Sequence, residues 1–542
     1  MSSHQMWAAS ALAASTVLFA ACDGGQSYDG PMGSRSADAT MARSAAADDV
    51  VVIAVIDSGV NPYHHDYLAS MMPQHQDADP SNDLPLDQDP ATWLPGHPGA
   101  EAFASYDALN LSLSEDPNAF AADLHALDQA EWGKVRYSEG TDNAQVHMVW
   151  MPGTKIIGHV AFDPMLIADY ALSPVLGEQT GPVDTWSADS HGTGSASVSS
   201  GNIYGSCANC LLVYVHGTSE EANEWVAKQD WIDAQTNSWG AATVFRERAY
   251  AGTDVQLQLE AINRGQQNFF SAGNGQANAF VAPNTTLLSS QEGPDWIVTV
   301  GAISPNDGST FSGHGKPADI SSIGTGYPAG RGASVTAEGS FSGTSNATPV
   351  VAGIYAQALY QLRQELAGPS RIQTAGVVAV GPAGCGAANA DCANADGMIT
   401  VHELREALFR SARYTEEVWN VGGQVTLPAG TPADAELEFV GEGHGSYWGR
   451  VRSDEELAED VQRIVDFVMG RWFEEQDLAQ VEWFTADSIC RQAIWGEWEH
   501  GYAARNPAPA ADPSQPMRTF LTEVCPTALP PLVTPLEIIH GG

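Results

Sequence analysis

VVVIAVIDSGV, residues Val50–Val60, decides the fold. Seven apolar residues, most of them β-branched, run unbroken from Val50 to Ile56, which fits a strand buried on both faces better than one with a wet side. The run ends at Asp57, Ser58 and Gly59, residues that turn a chain. Strands of this kind occur in α/β sheets, which gather their functional groups just beyond the carboxyl ends of the strands. Asp57 falls at such an end. Further strand-like segments, LLVYV (211–215), FFSAG (269–273) and WIVTVGAI (296–303), alternate with helical sequence such as PVVAGIYAQALYQLRQEL (349–366). The alternation predicts an α/β fold, a doubly wound and mostly parallel sheet with helices on both faces.

Two other segments carry chemistry. In SADSHGTGSASVSSG (187–201), His191 is followed by small residues that let a helix pack closely. In FSGTSNATPVVAG (341–353), Ser345 stands in a small-residue turn at the start of an apolar helix, where unpaired backbone N–H groups can stabilise a developing negative charge. The chain order Asp57, His191, Ser345 is that of the subtilisin triad and differs from the chymotrypsin and α/β-hydrolase orders.

With DSGV at the aspartate, HGTG at the histidine and GTSNATP at the serine, the chain resembles the subtilisin-like (subtilase, S8) serine peptidases. FFSAGNG (269–275) adds a fourth match, with Asn274 at the place of the family's oxyanion asparagine. The resemblance implies a serine endopeptidase: Ser345 as nucleophile, His191 as general base and acid, Asp57 as its orienting partner, and Asn274 as oxyanion donor. It implies protein or peptide substrates and no cofactor for catalysis. NSWG (237–240) resembles the strand that lines the S1 pocket, so Ser238, Trp239 and Gly240 are substrate-binding candidates. Trp239 stands where an aliphatic residue is common, and either narrows the pocket or points into the core. Asn346 stands where many relatives carry methionine or an aromatic residue. The alternative is a catalytically silent surface binding protein on the same fold, against which the intact set of four residues argues.

Acidic residues number 66 against 23 bases, a net charge of −43, so no nucleic-acid partner is expected. The apolar run from Met6 to Ala21 is too short to span a bilayer, and LFAAC, ending at Cys22, resembles a bacterial lipobox. Residues 1–21 are then a signal peptide, with Cys22 lipidated; a plain secretory signal is the alternative. Both place the protein outside the cytoplasm, lipid-anchored to the envelope or secreted, with membrane contact only through the anchor. Seven cysteines are an odd number for an exported chain, and setting Cys22 aside leaves six. The simplest pairing joins neighbours, Cys207 with Cys210, Cys385 with Cys392, and Cys490 with Cys525.

Residues 22–49 are rich in Gly, Ser, Ala and Asp and read as a flexible tether. A catalytic domain is expected over 50–470, with insertions at about 62–185 and 367–396, and as a monomer. The first insertion is expected to shape the rim of the substrate cleft, and the histidines of HHDY (64–67) within it to be structural. In the second, CANADGMITVHE (392–403) resembles an EF-hand loop, implying calcium as a structural ion at Asn394, Asp396 and Glu403, although Cys392 occupies the position normally held by aspartate. ITVHELREALF by itself also fits an ordinary helix of the family. Residues 471–542 form a small C-terminal appendage rich in Trp and Pro and containing the Cys490–Cys525 pair.

Overall fold

The computed structural model describes residues 50–109, 116–132, 137–138, 146–162, 190–218, 220–239, 261–262, 264–274, 297–305, 312, 319–365, 373–375, 398–413 and 450–469. At its centre lies β1 (Val52–Asp57), buried along its whole length. It pairs in parallel with β6 (Leu211–His216) on one side and β7 (Ala234–Asn237) on the other. Beyond β7 follow β8 (Gln267–Ser271), β9 (Ile297–Ile303) and β10 (Ile320–Ile323), all parallel. Beyond β6 come the parallel β5 (Ile156–Phe162) and the antiparallel β4 (Val146–Trp150), edged by the short β2 (Glu101–Ala102) and β3 (Tyr137–Ser138).

A parallel sheet needs apolar cover on both faces, and the side chains of β1 and of Val51 just before it divide accordingly. Val51, Ile53 and Val55 enter one apolar cluster, while Val52, Ala54 and Ile56 enter the other. The first cluster is closed by the helices α2 (Ser190–Ser200), α4 (Thr344–Glu365), α5 (Val401–Ser411) and α6 (Leu457–Val468), the second by α3 (Glu220–Ala227) and by Met72, Leu84, Leu86 and Leu94. Each fully buried aliphatic side chain contributes about 1.5–3 kcal/mol, so the alternation fixes which face each strand presents.

The segment 62–185, expected to shape the rim of the cleft, enters the main sheet itself. Its described parts supply β2 to β5 and so build one end of the main sheet. They also include the helix α1 (Pro117–Trp132), whose Phe120 and Leu124 join the first cluster. The histidine of HHDY at position 64 is structural, as the sequence suggests. Its Nδ1 accepts from the Asp66 N–H, which leaves Nε2–H to donate to the Ala337 carbonyl at 2.8 Å. Burial lowers its basicity, against the pull of that carbonyl.

Lys155, at the start of β5, is fully buried. Its ammonium donates to the carbonyls of Ser200 and Ala208, each at 2.5 Å, and so ties the end of α2 to the turn before β6. Burial pulls it down to about 7, with the Asp66 carboxylate acting in the opposite direction. The same turn holds a disulfide between Cys207 and Cys210, with the Cα atoms 5.3 Å apart.

The hairpin β11 (Tyr327–Gly330) and β12 (Glu338–Phe341) delivers the chain to α4. That helix begins at Thr344, so Ser345 lies in its first turn as the sequence suggests, and Pro349 falls inside it. At its far end Arg363 makes a two-pronged ion pair with Asp233, the residue before β7, and also donates to the Val50 carbonyl. Asp233 in turn accepts from the Val52 N–H at 3.0 Å. The helix therefore crosses the sheet with its last turn bonded to the amino ends of β1 and β7, and its first turn at their carboxyl ends. Among the described residues no helix is long and apolar enough to cross a membrane.

Candidate active site

Three neighbouring strands end at the same edge of the sheet. Asp57 ends β1, Ser238 follows β7, and Asn274 lies three residues beyond β8. This is the edge at which open parallel sheets leave a crevice.

Asp57 is nearly inaccessible, with a side-chain exposure of 4%, whereas the side chain of His191 is 40% exposed. Its Oδ1 receives the Ser58 N–H at 2.7 Å, the Ser58 hydroxyl at 3.3 Å and His191 Nδ1 at 2.7 Å. Its Oδ2 receives the buried hydroxyl of Ser195 at 2.7 Å. With Nδ1–H given to the carboxylate, the neutral imidazole keeps its Nε2 lone pair for a proton from elsewhere.

α2 can come this close because its residues are small. A Cβ at Gly192 would lie 1.9 Å from the Tyr214 hydroxyl and 2.4 Å from the Gly59 carbonyl, so no larger residue fits without moving β1 or β6. Thr193 links the two motifs, its hydroxyl accepting from the Asn61 N–H at 2.9 Å. The ring of Phe341 stands edge to face against His191, with centroids 5.4 Å apart. It occupies the space where a Cβ at Gly194 would need to be, 3.1–3.2 Å from three of its atoms.

Ser345 is the second residue of α4. Its hydroxyl donates to the Ser238 carbonyl at 3.1 Å, and the Ser238 hydroxyl donates to the Ser345 carbonyl at 2.9 Å. Pro349 accounts for half of this exchange. A helical carbonyl at position 345 would ordinarily accept from the N–H at 349, which proline lacks, and Ser238 supplies the missing donor.

Asn274 is exposed, but its side-chain oxygen is held by Thr344, through the backbone N–H at 2.8 Å and the hydroxyl at 3.0 Å. Fixing Oδ1 fixes the plane of the amide and with it the place of Nδ2. Gly343, at φ +114°, makes the turn that allows this. A Cβ there would be strained in backbone conformation and would lie 3.2 Å from Nδ2.

Trp239 is partly buried against the second apolar cluster and stacks edge-on with Phe270 at 6.2 Å, which favours the core placement of the two left open by the sequence. Asn346 is fully buried and donates to the Ile323 carbonyl at 2.7 Å, so the residue after the serine fastens α4 to β10. Cys22, Gly240, Cys385, Cys392, Asn394, Asp396, Cys490, Cys525 and the segments 1–49 and 471–542 lie outside the described residues. Glu403 falls on α5. Among the described residues no three His, Cys, Asp or Glu side chains converge as a metal site.

Ser58, Ser195, Thr344 and Phe341 were not singled out by sequence reasoning. The Ser195–Asp57 contact joins residues 138 positions apart, and no local pattern announces it. Thr344 and Phe341 sit inside the serine motif, where their contacts appear only once β8 and α2 are in place.

The model of the subtilase family, Peptidase S8, matches residues 48–419. No curated protein matches the sequence. Among solved structures the chain is similar to the crystal structure of a cold adapted subtilisin-like serine proteinase, at 19% identity and a TM-score of 0.29, over 59% of this chain and 82% of that one.

Proposed function

Because the chain belongs to the subtilase family of serine peptidases, we propose that it is an exported endopeptidase in which Asp57, His191 and Ser345 act as the catalytic triad. The observation that carries this reading is the 2.7 Å bond from His191 Nδ1 to a buried Asp57 at the strand edge that also presents Ser238 and Asn274. A histidine oriented in this way can accept a proton at Nε2 and return it to a leaving amine. In the resting arrangement the Ser345 hydroxyl faces the Ser238 carbonyl, so the first step is rotation of that hydroxyl toward His191. Catalytic hydrogen bonds commonly tighten only once substrate is bound.

Attack of Ser345 on a peptide carbonyl places negative charge on the carbonyl oxygen. Asn274 Nδ2 and the Ser345 backbone N–H are the two donors suited to receive it, both set before substrate arrives by Thr344 and by the start of α4. The acyl-enzyme then hydrolyses by the same route, with water in place of the leaving amine. Export, and anchorage through Cys22, follow from the signal-like N-terminus, and extracytoplasmic proteins or peptides are the proposed substrates.

The test is labelling of the purified, signal-free protein with a fluorophosphonate probe, followed by peptide cleavage. Label on wild type that is lost in Ser345→Ala supports an activated Ser345. A folded wild type that neither labels nor cleaves would move the assignment to a silent binding protein. Loss of palmitate incorporation in Cys22→Ala tests the anchor.

A further inference from the structure

We propose that Ser195 is a positioning residue of the reaction, whose buried hydroxyl holds the Asp57 carboxylate in the orientation His191 requires. The inference rests on the triad reading above. His191 and Ser195 lie one turn apart on α2 and reach the two different oxygens of one carboxylate, each at 2.7 Å. Three donors share Oδ1, whereas Ser195 alone among the described residues donates to Oδ2. The carboxylate therefore cannot rotate about its Cβ–Cγ bond without losing the hydroxyl on one oxygen or the imidazole on the other.

The hydroxyl is committed to this bond by choice of partner. A serine in a helix can return its hydroxyl to a backbone carbonyl one turn earlier, and Ser199 and Ser200 both donate to the Ala196 carbonyl. Ser195, fully buried, donates across to β1 instead. Hydrogen bonds to ionised groups are stronger than those between neutral ones. With Ser195 removed, Oδ2 would be a buried charged acceptor with no donor, free to swing away from its in-plane alignment with Nδ1.

The experiment compares Ser195→Ala, Ser195→Thr and Ser195→Val in the signal-free protein, using a peptide found to be cleaved by wild type. Ser195→Ala is expected to lower kcat about tenfold, a barrier change of about 1.4 kcal/mol, with KM changed by less than about twofold. Threonine keeps the hydroxyl and is expected to restore most of the rate, whereas valine, with the same bulk and no hydroxyl, is not. The low-field proton resonance of His191 Nδ1–H, measured in wild type and Ser195→Ala, is expected to move. That comparison decides the question by itself if the two bulkier variants fail to fold. A Ser195→Ala enzyme with kcat within about twofold of wild type, or equal rates in folded threonine and valine variants, or an unmoved resonance, would overturn the proposal. If Ser345→Ala is inactive while Ser195→Ala is unimpaired, only the role of Ser195 falls; if Ser345→Ala remains active, the triad reading falls with it.

Discussion

Ser238 and Ser345 are joined by a reciprocal pair of hydrogen bonds, each hydroxyl donating to the other's carbonyl, at 2.9 and 3.1 Å. The Ser238 half of the exchange exists because Pro349 leaves the Ser345 carbonyl without its helical donor. Ser238→Ala should therefore strand a buried carbonyl and lower stability by about 1–3 kcal/mol. Pro349→Ala in the same chain returns an N–H to that position and should recover part of the loss. Denaturant unfolding of the two single variants and the double variant measures the coupling.

Asn274→Ala removes the amide that Thr344 aims. Activity should fall about a hundred- to thousandfold in kcat with little change in KM, a magnitude carried over from the equivalent group of subtilisin rather than derived for this chain. Steady-state kinetics on a cleaved peptide checks it. A loss confined to KM would instead mean that Asn274 binds the substrate in its ground state.

Acid should weaken the fold through His97. Its Nδ1 accepts from the Gly99 N–H and its Nε2 bonds the Ile157 carbonyl at 3.1 Å, and burial pulls it down to about 4. The unfolded chain binds this proton from about 6.5, so stability is complete above pH 6.5 and is lost as pH falls toward 4. Replacement of His97 by Gln should flatten that limb of the stability profile. Urea midpoints measured across this range give the comparison.

Cys207 and Cys210 close a very short ring, so the chain-entropy gain from their bond is modest. Cys207→Ser with Cys210→Ser should cost about 2 kcal/mol, read as a fall in thermal midpoint. A loss several times larger would show that the turn itself, with Ala208 bonded to Lys155, collapses.

Asp57, His191, Ser345 and Asn274 are legible in the sequence because each stands beside residues that announce its setting. Asp57 ends an apolar run, His191 heads a string of small residues, and Ser345 and Asn274 sit at glycine-marked turns. The central strands are legible for the same reason, as continuous apolar segments. Ser195 is not, since a serine in SASVSS looks like any other until the Asp57 carboxylate lies 2.7 Å from its hydroxyl. The place of Ser345 in the first turn of α4 is legible too, whereas the proline inside that helix is accommodated only through its missing hydrogen bond being supplied from β7's end. The end of the sheet built by 62–185 is legible in part: MVWMPGTKIIGHVAF (148–162) has strand character and covers most of β4 and all of β5, whereas β2 and β3 are only two residues long and carry no periodicity.

Lys155 brings a positive charge to the carbonyls of Ser200 and Ala208 on a side chain of the protein itself. A charge delivered in this way has an occupancy fixed by covalent attachment, so neither dilution nor a chelator can strip it from the junction between the histidine helix and the next strand. What can remove it is loss of the ammonium proton, which burial favours by pulling the group down to about 7 against the opposing Asp66 carboxylate.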